Sequence, residues 1–199
     1  MQRARLQDYH SLQMLAKSGF AELTINKSRF YAAANYCETE HEVSAFLRAL
    51  AAQHQSAHHL VYAFRVKTVD GIIPRFSDAG EPSGTAGKPI LQLLEGQQLI
   101  QVCVGVIRYY GGINLGTGGL VRAYSGTAKQ AIDAAGFAPY VEMQQISLTI
   151  SYKQVDELLR ELAKLNGQLL QKTFDEAVHF VVKLPVMKVQ KFVQQFAPP

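Results

Sequence analysis

The stretch 99–107, LIQVCVGVI, limits what this chain can fold into more than any other. Gln101 and Gly105 apart, every position is aliphatic or cysteine, so the alternation of a strand with one wet face is missing. The run predicts a strand buried on both faces at the centre of a sheet. Two glycine-rich segments flank it, FSDAGEPSGTAGKPI over 76–90 and RYYGGINLGTGGLVRAY over 108–124. The second opens into a helix expected over 118–135, with Val121, Tyr124, Ala128, Ala131 and Ile132 turned inward and Gly136 as its stop. One surface shaped by both loops is expected beside the central strand, and the remaining chain reads as its scaffold.

Residues 1–18 are mixed and read as a short helix or a loose arm. Alternation over 20–26 predicts a half-buried strand, followed by a turn at Lys27-Ser28 and a hairpin partner over 29–36. Thr39 with Glu42 is a capping-box signature, and Val43, Phe46, Leu47 and Leu50 give the helix that follows one apolar stripe. A third strand is expected over 60–66. The segment 68–87 has no periodicity and many turn formers, which predicts a long ordered loop. Pro89 suits the first turn of a short helix reaching Leu94.

Gly136-Phe137-Ala138-Pro139 reads as the boundary between a domain over 1–138 and another over 139–199. Beyond it come an alternating strand over 145–152, a capping box at Ser151 and Gln154, and an amphipathic helix through Val155, Leu158, Leu159 and Leu162 that Gly167 ends. Strands over 169–174 and 178–184, joined at Asp175-Glu176, precede a last helix carrying Val189, Phe192, Val193 and Phe196. The order strand, helix, strand, strand, helix is a ferredoxin-like unit stopping one strand short, and the fold class is α+β.

A chain of 199 residues makes one large domain or two small ones, and 48% hydrophobic residues argue against disorder. Twenty basic against sixteen acidic residues leave a net charge of +4. That excess is compatible with nucleic acid or ribosomal partners and far from the basicity of a DNA coat. Cys37 and Cys103 make no disulfide framework; Cys103 reads as a core residue, and a reducing cytoplasm is the natural compartment. The first twenty residues lack the apolar core of a signal peptide, and no run approaches the length that spans a bilayer.

Gly111, Gly112, Gly116, Gly118 and Gly119 allow backbone N–H groups to converge on one point, and the following helix adds the positive end of its dipole. Arg108 and Arg122 are placed to add charge-assisted contacts to phosphate, and Tyr109 and Tyr110 offer ring faces to a base. The competing reading is that the glycines only permit tight packing and that Arg108 pairs with a carboxylate. In the first loop, Asp78 and Glu81 either bind a metal or act as acid and base, or they accept loop amides and pair with arginines. Ser83, Thr85 and Lys88 accompany them without an activating motif. A Walker A loop fails twice: Pro82 stands where its leading glycine belongs, and Pro89 follows Gly87-Lys88. The dinucleotide fingerprint fails at Val121. His54, His58 and His59 cluster before a strand, but with Cys37 or Cys103 their spacing fits no standard zinc pattern, and His58 or His59 is expected at the edge of the loop surface.

The segments from Phe76 to Gly87, from Arg108 to Gly112 and from Leu115 to Tyr124, with Lys27-Ser28-Arg29-Phe30 and His58-His59 before them, closely resemble the signature of the YigZ/IMPACT family. The resemblance spans roughly residues 22–184. It implies a ribosomal-protein-type βα sandwich, like domain IV of elongation factor G, followed by a ferredoxin-like module like its domain V. It also implies a role in control of translation, with RNA or the ribosome as partner and protein partners in the eukaryotic branch. The site it implies comprises Asp78, Glu81, Arg108, Tyr109, Gly111, Gly112, Gly118, Gly119 and Arg122, to which the loop reading adds Lys88 and Gly116. No cofactor or metal is expected, and the leading expectation is a binding protein rather than an enzyme. An enzyme acting on a nucleotide or phosphorylated substrate and a pure protein-interaction module are the alternatives. Three positions depart from the family: Ala79 replaces a second aspartate, Leu60 replaces a cysteine, and the chain ends at Pro199, before the strand that completes the second sheet and leaves its edge available for pairing.

Overall fold

The computed structural model describes residues 12–196, and the chain divides into two compact units between Tyr140 and Val141. In the first unit, β2 (Gly19–Ile25), β3 (Ser28–Tyr36), β4 (His59–Thr68), β5 (Gly71–Ser77) and β6 (Val102–Tyr109) form one antiparallel sheet in the order β2-β3-β6-β4-β5. β6 lies at its centre, as its uniform apolarity demands. Val102, Val104 and Val106 point to one face, where they share a core with α2 (Gly87–Gly96) and α3 (Gly116–Ala135). Cys103 and Ile107 point to the other face, where α1 (Glu40–Gln53) lies with Val43 and Leu50 buried. Asn26 and Lys27 both hold positive φ, 44° and 64°, so the β2–β3 hairpin turns on these two residues rather than on Lys27-Ser28.

Three boundaries differ from expectation. The segment 68–87 is not a single loop, because β5 pairs with β4 from Gly71 to Ser77. Pro74 hides this strand from a propensity reading, yet it is tolerated because β5 is the sheet's edge and needs no second ladder. The central strand begins at Val102 rather than Leu99: Gln101 takes a φ of 52° and its side-chain oxygen accepts from the Lys67 amide at 2.9 Å. Helix α3 begins two residues early, at Gly116. Most of residues 1–18 lies outside the described residues, but β1 (Gln13–Leu15) is a strand, pairing with β7 (Phe137–Pro139).

In the second unit, β8 (Met143–Ile150), β9 (Gln168–Phe174) and β10 (Val178–Pro185) form an antiparallel sheet in the order β8-β10-β9. The side chains of Val178, Phe180, Val182 and Leu184 alternate into a core with Leu158 and Leu162 of α4 (Val155–Lys164) and Phe192 and Phe196 of α5 (Val186–Phe196). The capping box at Ser151 and Gln154 is formed, and a turn at Asp175 joins the two strands, closed by the Asp175 carboxylate accepting from the Ala177 amide at 2.9 Å. No helix among the described residues is long and apolar enough to cross a membrane.

Candidate functional site

The two glycine-rich loops meet. Glu81 and Pro82 of the first and Asn114 to Thr117 of the second line one cavity of about 460 Å³, together with His58, His59, Arg108, Tyr110 and Leu120. The side chain of Arg108 extends the row of Val102, Val104 and Val106, so strand alternation turns it under the helices rather than into solvent. Burying a guanidinium requires a partner. Arg108 Nη1 lies 2.6 Å from Glu81 Oε1, and the two side chains are 6% and 4% exposed. The same oxygen accepts from the Tyr124 hydroxyl at 2.7 Å, and burial together with that hydrogen bond pushes the Tyr124 phenol well above its ordinary range. The guanidinium packs between the rings of Phe30 and Tyr110, 5.5 and 5.2 Å from their centroids. Its Nη2 donates to Ser28 Oγ at 3.4 Å, while its Nε is buried without a partner. Arg108 is therefore an internal cation paired with a carboxylate, which is the competing reading of this residue, and not a free phosphate contact.

Asp78 is equally committed. Its two oxygens accept from the amides of Gly84, Ala86 and Gly87 at 2.8, 3.0 and 2.7 Å, which closes the first loop and caps the start of α2. Ala79 beside it holds a φ of 47°, a left-handed conformation that favours aspartate or asparagine over alanine. The aspartate the resemblance expects there thus suits a turn without any metal. Among the described residues no cluster of three or more His, Cys, Asp and Glu side chains could hold a metal ion.

Of the remaining predicted residues, Tyr109 faces away. Its hydroxyl lies 2.9 Å from His54 Nδ1, and its ring meets Tyr31 on the α1 side of the sheet. Tyr110 does line the cavity, with its hydroxyl donating to Asn114 Oδ1 at 3.1 Å. Gly112 and Gly116 are left-handed, at 83° and 68°. Gly111 is there for a different reason: a Cβ on it would fall inside the backbone of Lys27. Gly118 and Gly119 lie in the first turn of α3. The residue before that turn, Leu115, has no side-chain group to cap it. Its first N–H groups are left for a ligand or water, with the positive end of the dipole behind them. Arg122 is exposed, and its Nη1 lies 3.8 Å from where a Cβ on Gly118 would stand. Lys88 is exposed on α2.

Sequence reasoning missed Ser28, which is fully buried and accepts from both the Gly111 amide at 3.1 Å and Arg108. It missed Tyr124 as a partner of Glu81, although it placed that ring inward. The only signal for Ser28 is its place in the Lys27-Ser28-Arg29-Phe30 landmark. His58 and His59 stand at the cavity edge, where Nδ1 of His58 accepts from the Tyr110 amide at 3.2 Å and Nδ1 of His59 lies 2.9 Å from the Ala79 carbonyl.

Residues 26–132 match the Impact N-terminal domain, and residues 148–197 match a domain of unknown function, DUF1949. An IMPACT family member from Haemophilus influenzae is 36% identical over 172 residues, 86% of this chain and 84% of that protein. IMPACT family member YigZ from Escherichia coli is 35% identical over 174 residues, 87% of this chain and 85% of its own length. A solved structure described as that of a hypothetical protein superposes with a TM-score of 0.68 at 32% identity, covering 92% of this chain and 90% of that one.

Proposed function

The chain belongs to the IMPACT family, and on that premise we propose that it regulates translation by holding RNA, free or within the ribosome, at the cavity where the two loops meet. One observation carries the reading. The uncapped first turn of α3 opens at a cavity rim formed by Gly116 and Thr117. Helix N-termini of this kind receive phosphate through backbone N–H groups and the dipole. Arg108 is neutralised by Glu81, so its part is to hold the cavity's shape, and attraction falls to the helix end and to Arg122. On the same premise the first unit is a sandwich of the type in domain IV of elongation factor G. The second is a module like its domain V, a reading that the strand order β8-β10-β9 supports.

The test is binding of single-stranded RNA and of ribosomes across a salt series. With few cationic contacts the reading expects a shallow dependence, on the order of one to two ions released. Arg122→Glu, on an exposed residue, should weaken binding at least tenfold without altering thermal stability. Absence of binding at low salt, or equal binding by the variant, rejects the reading. A second reading, an enzyme with Glu81 as acid or base, draws on His59 Nε2 standing 3.8 Å from Glu81 Oε1 within the cavity. Against it, that oxygen already accepts two hydrogen bonds. Turnover of nucleotide monophosphates by the purified chain, abolished in His59→Ala, would favour it.

A further inference from the structure

On the α1 face of the first sheet lies a second cavity, of about 310 Å³, that shares no residue with the loop cavity. Strand pairing sets its shape. Phe20 of β2 stands opposite Ala33 of β3, which stands opposite Gly105 of β6. Leu50 of α1 sits over Gly105, where a Cβ would lie 2.7 Å from Leu50 Cδ2. Two small residues in a row thus open a slot, with Ala33 as its floor, Phe20 as one wall and Leu50 as the other. The neighbouring row is polar. Glu22 stands opposite Tyr31, whose ring lies 5.2 Å from that of His54. Helix α1 packs on β6 and β4, so the residues that β2 turns to this face, Phe20, Glu22 and Thr24, are exposed, Phe20 at 70%.

The lining suits a positive charge on an apolar stem. Phe20, Leu50 and Ala33 offer apolar contact, Tyr31 and His54 offer rings, and Glu22 offers a carboxylate. Glu22 forms no ion pair among the described residues, and no lysine or arginine lines the slot. The chain carries the same chemistry one row away. There the exposed Arg29 lays its guanidinium 5.1 Å from the centroid of the Tyr109 ring, and its Nη1 donates to the Tyr31 hydroxyl at 3.3 Å. Strand alternation puts Tyr31 between Arg29 and Ala33, so Tyr31 separates that guanidinium from the slot. The backbone beside the slot is open too. Among the described residues β2 is an edge strand that pairs with β3 alone, so its outer N–H and C=O groups can receive an added strand. From such a strand the floor at Ala33 is two strand spacings away, about 9.6 Å. A side chain reaching it passes between Phe20 and Glu22, which suits the long unbranched stems of lysine and arginine and excludes valine and leucine.

We propose that the β2 edge and this slot bind an extended basic segment of a partner protein. The segment pairs with β2 and sends one lysine or arginine side chain over Ala33, with its charged end at Glu22 and Tyr31. Backbone pairing supplies affinity that any sequence could gain, and the slot selects the basic residue. The proposal is independent of the RNA reading, which uses the other face of the sheet.

The experiment titrates the isotope-labelled full chain with peptides the length of β2, built of alternating threonine and serine around a central lysine, arginine, norleucine or glutamate. N-acetyl-lysine methylamide serves as the free side chain. Calorimetry gives the affinities, and backbone amide shifts give the place. The lysine and arginine peptides should bind about tenfold tighter than the norleucine peptide and shift the amides of Phe20, Glu22 and Ala33, with the glutamate peptide weakest. Glu22→Gln should bring the lysine peptide down to the norleucine level, and Phe20→Ala should weaken both alike. Both residues are exposed, so both variants should melt close to wild type. A lysine peptide N-methylated on the edge that meets β2 should lose its binding. Equal binding of the lysine and norleucine peptides, an unchanged preference in Glu22→Gln, or no amide shift with any peptide at millimolar concentration overturns the proposal. If N-acetyl-lysine methylamide binds as tightly as the lysine peptide, or N-methylation costs nothing, the slot takes a free amine and the protein partner is overturned. Neither Phe20 nor Glu22 borders the loop cavity, so RNA binding should be the same in both variants and the RNA reading stands or falls by its own test.

Discussion

Replacing Glu81 by glutamine tests the internal ion pair on which the cavity is built. The substitution is close to isosteric, and glutamine can still accept from the Tyr124 hydroxyl, but the charge is gone. Arg108 is then left as an unpaired guanidinium with a side chain 6% exposed, and it pairs with no other carboxylate among the described residues. Removing one partner of a buried pair costs about 3–5 kcal/mol. Packing of the guanidinium between Phe30 and Tyr110 remains, which places the expectation at the lower end, about 3 kcal/mol. For a unit of this size that lowers the melting temperature by about 10 °C. Native-state hydrogen exchange in urea reads residues 12–140 separately from 141–196, and the loss should fall on the first group alone. Adding Arg108→Met removes the orphaned charge, and the double variant should recover to within about 1–2 kcal/mol of wild type. A loss below about 1 kcal/mol in Glu81→Gln, or additive losses in the double variant, would refute the argument that burial makes these two charges depend on each other.

The loops make further predictions. Asp78→Ala leaves three amides without their acceptor and should destabilise by about 2 kcal/mol, with Asp78→Asn milder, and exchange protection at Gly84, Ala86 and Gly87 should disappear first. Gly111→Ala should prevent the second loop from seating on the hairpin turn, seen as poor folding, whereas Gly118→Ala meets only the end of Arg122 and should raise helix stability by about 0.5–1 kcal/mol in urea titrations. Burial pushes the Cys37 thiol up to about 12 from 9.0, so between those values the unfolded chain loses a proton that the folded chain keeps. Its stabilisation is complete below about pH 9 and is lost as pH rises toward 12, so the urea midpoint should fall more steeply above pH 9 in wild type than in Cys37→Ala.

Much of the scaffold is legible in the sequence. The apolar run of β6, the stripe of α1 and the alternation of β8 and β10 each carry their own period, because burial of one face of a helix or strand imposes it locally. The family signature was legible too, since it is written in contiguous residues. The strand β5 was not, because Pro74 contradicts strand propensity and only the position of β5 at the sheet edge makes it acceptable. Within the site, the inward course of Arg108 was available from parity with Val102, Val104 and Val106, and so was the opposite course of Tyr109; reading the loop as a unit obscured both.

By itself, then, the amino-acid order determined most of the helices and strands, β5 and the β1–β7 pair excepted, which family the chain joins, and that two glycine-rich loops bracket a buried strand. Tertiary structure alone decided which side chains those loops spend on themselves. Glu81 meets Arg108 across 27 positions, and Ser28 meets Arg108 across 80. No local period encodes such encounters. They follow from which faces the helices cover, since a charge shut away from water must find its counter-charge wherever the fold brings one.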